Sequence, residues 1–239
     1  MNRRDFLRLM ALGAFSIVVP AELLPAGGTP GKRWAMTIDL RACSNGCTDC
    51  IEACHRIHNV PDIPDGNRRI RWIWTSPFEA LFPEQPDYRR DLKGRSVMAL
   101  CNHCENPPCV PVCPVKATFK RDDGIVMMDY HRCIGCRYCM AACPYGARSF
   151  NWQDPRPFIH AIDKDYPTRT KGVVEKCSFC EERLAKNLIP ACVEACKEKG
   201  LAFGDLNEER SQVRLLLASR QAMQRKAHLG TKPKVFYLL

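Results

Sequence analysis

Sixteen of the 239 residues are cysteines, and they fall into four groups of four with none left over. Cys43, Cys47, Cys50 and Cys54 form the first group and Cys101, Cys104, Cys109 and Cys113 the second. Cys133, Cys136, Cys139 and Cys143 form the third, and Cys177, Cys180, Cys192 and Cys196 the fourth. A disulfide framework has no reason to place its cysteines in quartets two or three residues apart. Thiolates so spaced converge on one small object, which is the geometry a metal centre demands.

The third group, CIGCRYCMAACP, is the most specific. Its spacing, C-x2-C-x2-C-x3-C-P, is that of bacterial 4Fe-4S sites, in which the fourth cysteine ligates the other cluster of a pair. Three cysteines on a tight loop reach three iron corners, and Gly135 lets the chain turn closely around them. Pro144 fixes the exit of the segment that carries the fourth. The second group, CNHCENPPCVPVCP, supplies the mate. By the crossing rule, Cys101, Cys104, Cys109 and Cys143 bind one cluster, and Cys133, Cys136, Cys139 and Cys113 bind another.

The fourth group ends in CVEAC, an echo of CIEAC in the first, which makes these two groups an internal repeat pair. Cys177, Cys180, Cys192 and Cys54 then bind a third cluster, and Cys43, Cys47, Cys50 and Cys196 a fourth. The first group carries one residue more than the usual spacing, C-x3-C-x2-C-x3-C. Gly46 is placed to take a positive φ and let the loop absorb it, so Cys43 is expected to remain a ligand. Structural zinc is the competing reading, but the third group cannot easily wrap one tetrahedral ion with four ligands in eleven residues. A c-type haem is excluded by the absence of C-x2-C-H.

As a set, CNHCENPPC, HRCIGCRYCMAACPYGAR and the C-x2-C-x11-C-x3-C ending resemble the four-cluster ferredoxin-type electron-transfer subunits of membrane oxidoreductases. The resemblance covers most of residues 36–205. It implies four 4Fe-4S clusters, no catalytic residues, and an electron-transfer role without a substrate site of its own. CHRIHNVP, RWIW, GIVMMDYHRCIGC and the N-terminal start further resemble the branch of that family found in the Dsr membrane complexes of sulfur metabolism. That branch implies a polytopic quinone-interacting membrane subunit and a multihaem cytochrome c as partners. The alternative within the family is a subunit of a molybdopterin or polysulfide/nitrite reductase-type enzyme. The sequence departs from the wider family in the extra residue of the first group. It departs again at His55 and Lys197, which follow Cys54 and Cys196 where the other two groups have proline. A catalytic iron–sulfur enzyme would need an open iron site, and sixteen ligands leave no cluster short of a cysteine.

The elements that must position these ligands follow. The expected fold class is α+β, with two bacterial-ferredoxin-like units of short hairpins and helices, one inserted in the other. The outer unit takes residues 36–60 plus 170–205 and the inner unit 97–153, with a hairpin of strands turning at Asp122-Asp123-Gly124. Residues 61–96 form an insertion or clamp, because the 46 residues between Cys54 and Cys101 are too many for a bare loop. Within it Arg68–Trp74 alternates basic and apolar positions and predicts a strand with Ile70, Trp72 and Trp74 on one face, for aromatic packing or a subunit contact. From Leu206 to about Ala227 the composition predicts an amphipathic helix, followed by an extended tail to Leu239 whose apolar end docks on the body or on a partner. The six histidines read as structural or solvated, with His103, inside C-x2-C, placed to tune a cluster by hydrogen bonding.

Residues 1–26 resemble a twin-arginine export signal, Arg3-Arg4-Asp5-Phe6-Leu7 followed by an apolar run from Leu9 to Val19. The run is shorter than the ~20 residues a membrane span needs. Either it is cleaved near Pro25-Ala26-Gly27 or it stays as an uncleaved N-terminal anchor. The location expected is the extracytoplasmic (periplasmic) face of the membrane. The formal charge of +10 invites a nucleic-acid partner. Sixteen thiolates and four oxidised cores of about +2 each bring the total to about +2, so nucleic acid is set aside.

Overall fold

The computed structural model describes residues 31–43, 45–85 and 89–239; the signal or anchor expected over 1–26 lies outside them. In chain order the elements are β1 (Trp34–Asp39), α1 (Asp49–Ile57), β2 (Ile73–Pro77), α2 (Phe78–Leu81), β3 (Ser96–Leu100), β4 (Thr118–Lys120) and β5 (Val126–Met128). They continue with α3 (Tyr138–Ala141), β6 (Ser149–Phe150), β7 (Val174–Glu175), α4 (Glu181–Leu184), α5 (Ala191–Glu194), β8 (Leu201–Asp205), α6 (Gln212–Ser219), β9 (Ala222–Met223) and β10 (Val235–Leu238). The architecture is mixed α+β, with small sheets and short helices, the fold class that the sequence leads one to expect. Among the described residues no helix is long and apolar enough to cross a membrane.

The largest sheet has the order β8-β1-β10-β9. β1 pairs antiparallel with β8, Met36 opposite Phe203, and parallel with β10, Asp39 opposite Leu238. The side chains of β1 alternate between two cores, as the two-residue period of a strand requires. Met36 and Ile38 join the main core that also holds Cys54, Cys177 and Cys192. Ala35, on the other face, packs with Val213 of α6.

One expectation at the C-terminus changes. The helix predicted over 206–227 is confined to Gln212–Ser219. Arg220 is extended, because its guanidinium is drawn to the Asp39 carboxylate and to the Leu239 carbonyl, the latter at 3.1 Å. The chain then enters the sheet as β9. The extended tail is an interior strand of this sheet, β10, with β1 on one side and β9 on the other.

β2 and β3 form the hairpin of the insertion, Ile73 opposite Leu100 and Pro77 opposite Ser96. The strand begins at Ile73, later than the alternation over Arg68–Trp74 predicts. Ile70, Trp72 and Ile73 are buried, and Trp74 is half-buried. The reason is Trp72, whose indole is drawn into a buried polar network. Its Nε1 donates to Glu175 Oε2 at 2.9 Å, and Glu175 pairs with Arg169 at 2.7 Å, both side chains essentially inaccessible. Asn151 donates to the other Glu175 oxygen at 2.5 Å, and Arg169 Nη2 to the Asn59 carbonyl at 2.8 Å. Segments from five parts of the chain are thereby held together through hydrogen-bonded charge.

The hairpin β4–β5 turns where the sequence predicts, with Gly124 at φ +80°. β6 pairs with β7, Ser149 opposite Glu175, which ties the segment after the third cysteine group to the segment before the fourth.

Candidate metal centres

No disulfide forms among the sixteen cysteines. Each group is spread over a loop and the start of the segment that leaves it, so its four sulfurs face two places. α1 carries both Cys50 and Cys54, one helical turn apart. Cys50 turns toward Cys43, Cys47 and Cys196, which line one hollow with it. Cys54 turns to the opposite end, among Cys177, Cys180 and Cys192. A second hollow is lined by Cys113, Cys133, Cys136 and Cys139, and a third by Cys101, Cys104, Cys109 and Cys143. Cys54, Cys177, Cys180 and Cys192 are all buried, whereas Cys43, Cys47, Cys133 and Cys136 are half-exposed.

The electrostatics of these thiols fit a cationic core. Burial, and then Cys43, Cys196 and Cys47 beside it, push the Cys50 thiol up to about 12. Burial and the neighbouring Cys101 push Cys104 up to about 12. Cys54 and Cys192 are driven well above the ordinary thiol range, first by burial and then by their quartet partners. Four thiolates packed this tightly repel one another, and a group of positive irons between them removes that repulsion.

The loops share a backbone device. The third residue after Cys113, Cys143 and Cys196 has a left-handed backbone: Lys116 at φ +53°, Gly146 at +62° and Lys199 at +50°. In each case its N–H donates back to the cysteine carbonyl, at 3.2, 3.4 and 3.1 Å. Lys197 therefore replaces proline without altering the turn. After Cys54 the outcome differs: α1 runs on to Ile57, and the left-handed residue is Asn59 at φ +51°. That extra helical turn brings His58 beneath the cysteine.

The enlarged first loop is pinned by side chains. The Arg41 and Ala42 amides donate to Asp39 Oδ1, the Ser96 amide donates to Asn45 Oδ1, and Arg95 Nη2 donates to the Cys43 carbonyl at 2.9 Å. Gly46 takes φ +83°.

Several residues around the thiols were not singled out by the sequence reasoning. Arg148, in the segment CPYGAR, is buried and donates through Nη2 to Cys109 Sγ at 3.0 Å. Lys176, the residue before Cys177, is buried and donates to the carbonyls of Val126 and, at 2.7 Å, Cys177. His58 Nδ1 lies 3.6 Å from Cys54 Sγ and 2.9 Å from the Cys54 carbonyl, and its Nε2 is 2.9 Å from Glu182 Oε1. With Cys180 these two side chains make a compact group of potential ligand atoms, but Cys180 already faces its own quartet. Adjacency to the cysteine motifs was the available signal for Lys176 and Arg148; for His58 there was none, because it depends on how far α1 runs. His103, expected to tune a cluster or to serve structure, is buried, and its Nδ1 accepts from the Val126 amide at 3.1 Å. Burial, and then Lys176, Lys234 and Arg148, hold it well below the usual imidazole range, so it is neutral. His131, His160 and His228 are exposed, and His55 is half-buried.

The chain is similar to known proteins over most of its length. The family described as "4Fe-4S dicluster domain" matches residues 94–157 and 161–206. The chain is 38% identical to the Hdr-like menaquinol oxidoreductase iron-sulfur subunit 1 of Archaeoglobus fulgidus, over 99% of this chain and 97% of the relative. It is 40% identical to a tetrathionate reductase subunit of Salmonella typhimurium, over 99% and 88%. It is 36% identical to protein NrfC of Escherichia coli, over 98% and 94%. Sixteen cysteines in such groups, with relatives of this kind, correspond to four 4Fe-4S clusters. The chain belongs to the family of ferredoxin-type 4Fe-4S dicluster subunits that transfer electrons within larger membrane oxidoreductases.

Proposed function

We propose that this chain is a four-cluster electron wire built from two nested ferredoxin-like units, residues 97–153 within 36–60 plus 170–205. Cys43, Cys47, Cys50 and Cys196 hold one cluster, and Cys54, Cys177, Cys180 and Cys192 the next. Cys101, Cys104, Cys109 and Cys143 hold the third, and Cys113, Cys133, Cys136 and Cys139 the fourth. Each cluster, when bound, supplies reversible one-electron chemistry. The residues of the chain supply everything else: they hold the irons, exclude water, and set the charge each site tolerates.

The observation that carries this reading is the contact between quartets. Cys101 is the largest charged influence on Cys177 after burial, and Cys50 lies close enough to Cys54 and Cys192 to raise both. Arg148 faces both Cys109 and Cys139. The four quartets thus adjoin in single file, with the half-exposed ones at the two ends and the buried one inside.

The wire connects a quinone-interacting membrane subunit to other redox subunits, among them a multihaem cytochrome c, in a Dsr-type membrane complex of sulfur metabolism. The support is the resemblance of CHRIHNVP, RWIW and GIVMMDYHRCIGC, together with a relative whose name is that of a menaquinol oxidoreductase subunit. Arg3-Arg4 and the apolar run after it support export to the extracytoplasmic face. A second reading, a subunit of a molybdopterin or polysulfide/nitrite reductase-type enzyme, is favoured by the 40% identity to a tetrathionate reductase subunit.

An EPR-monitored redox titration of the purified chain, with iron and sulfide counted, tests the wire. About sixteen irons and four reducible centres are expected. Bound zinc, or a single pair of clusters, would overturn it. Isolation of the native complex separates the two readings by what accompanies the chain: haem and a quinone-reactive membrane protein, or a molybdopterin subunit.

A further inference from the structure

The four quartets do not share the same charge. Around Cys101, Cys104, Cys109 and Cys143 stand two buried cations. Arg148 donates to Cys109 Sγ at 3.0 Å and to Thr118 Oγ1 at 3.1 Å. Arg148 lines the hollow that these four cysteines share. Lys176 is fully enclosed, with its ammonium on the carbonyls of Val126 and Cys177. Val126, whose carbonyl it bonds, lines the hollow that Cys101, Cys104, Cys109 and Cys143 share.

The carboxylate next in sequence to Cys104 does not offset these cations. Glu105, next to Cys104, is already engaged by Arg33 at 2.6 Å, by Lys234 at 2.7 Å and by Lys120. His103, between Cys101 and Cys104 in sequence, accepts from the Val126 amide and stacks on Phe179. The neighbouring quartet differs: the Glu182 carboxylate stands beside Cys180, 2.9 Å from His58 Nε2. At the Cys43 end, Arg95 donates to the Cys43 carbonyl at 2.9 Å, and the Asp39 carboxylate holds the Arg41 and Ala42 amides of the same loop. At the Cys133 end, Arg148 reaches Cys139 but makes its hydrogen bond to Cys109.

Reduction adds one negative charge to a cluster. A buried cation favours the reduced form, and does so more strongly in a low-dielectric interior than at the surface. We propose that Arg148 and Lys176 make the cluster held by Cys101, Cys104, Cys109 and Cys143 the highest-potential one of the four, so that an electron on the wire rests there. The inference rests on the ligand assignment given above. Both side chains act through the cluster and touch no substrate; they are positioning charges.

The test is an EPR-monitored redox titration of the full chain, with iron counted for every variant. Cys104→Ser identifies the signal of this quartet by losing or converting it, and in the unmodified chain that signal has the highest midpoint. Arg148→Met and, separately, Lys176→Met lower its midpoint by at least tenfold in the reduction equilibrium, ~59 mV for a one-electron couple. Arg148→Lys recovers part of the shift, and the signal lost in Cys43→Ser keeps its original midpoint. If Cys104→Ser changes neither iron count nor any signal, the ligand assignment fails and this proposal with it. If the assignment holds but another signal is highest, or both methionine variants keep full iron and unchanged midpoints, this proposal alone is overturned. Should Arg148→Met fail to assemble, the ranking in the unmodified chain and Lys176→Met decide.

Discussion

The imidazole of His103 lies stacked on the ring of Phe179, with centroids 3.7 Å apart and planes at 22°. The two residues hold the same place in two different C-x2-C loops, CNHC and CSFC, and both have left-handed backbones, at φ +40° and +57°. The loops that carry Cys101 and Cys177 therefore meet face to face, with aromatic rings as the contact.

Phe179→Ala should open a cavity at this junction and destabilise the chain by about 3–5 kcal/mol. Phe179→Leu should cost less than half as much, since it keeps most of the volume. Iron release in rising guanidinium measures both. Equal release from the alanine variant and the unmodified chain would show that the stack carries no packing energy.

Two glycines in cysteine loops should respond differently to alanine. Gly135 has φ +70°, and a Cβ there would come within 2.4 Å of the Gly172 carbonyl oxygen. Gly135→Ala should displace the loop of Cys133 and Cys136 and remove one cluster, taking iron from about sixteen to about twelve per chain. Gly46 has φ +83° but open space around it. Gly46→Ala should cost about 1 kcal/mol and keep all its iron. Iron and sulfide analysis of the two variants decides.

The Arg169–Glu175 pair is buried on both sides, and Trp72 and Asn151 also bond to Glu175. Glu175→Ala leaves the guanidinium of Arg169 enclosed without its counter-charge, at about 3–5 kcal/mol. The double variant Glu175→Leu with Arg169→Leu should recover much of that. Thermal unfolding of the three proteins is the measurement.

Arg220 joins α6 to the sheet through Asp39 and the Leu239 carbonyl. Burial would raise the Asp39 carboxyl, but Arg220 and the amides of Arg41 and Ala42 offset it, and the net pKa lies below the usual value. A depressed carboxylate contributes its full stability above the ordinary range near 4 and loses it as pH falls through the lowered value. Arg220→Ala should cost about 1–2 kcal/mol near neutral pH. The gap to the unmodified chain should narrow between about pH 5 and about pH 2, as denaturant midpoints at each pH would show.

Much of this architecture was legible in the cysteines, because ligand spacing is local chemistry. Spacing alone led to the crossed grouping in which Cys143 joins Cys101, Cys104 and Cys109, and Cys113 joins Cys133, Cys136 and Cys139. The hairpin at Gly124 was legible for the same reason, since a tight turn has few chemical solutions. What was hidden depended on distant partners. Residues 220–227 have helix-like composition, yet Arg220 answers to Asp39 and Leu239, and the backbone beyond it pairs with Tyr237 and Leu238. Trp72 leaves the alternation of its segment because a carboxylate from β7 awaits its indole. Arg148, Lys176 and His58 look like ordinary polar residues in the chain, and their roles arise only when several loops close over them.

The placement of β10 has a consequence for how the molecule comes into being. Asp39 lies opposite Leu238, far along the chain, and β10 stands between β1 and β9. At the usual 5–20 residues per second, roughly 10–40 s separate the synthesis of these two partners. All sixteen cysteines, from Cys43 to Cys196, have been made by the time the last strand arrives. The sheet beside the ligand loops is completed only once β10 has been made, so its closure follows the synthesis of every one of these cysteines, and loading of iron has that interval in which to begin.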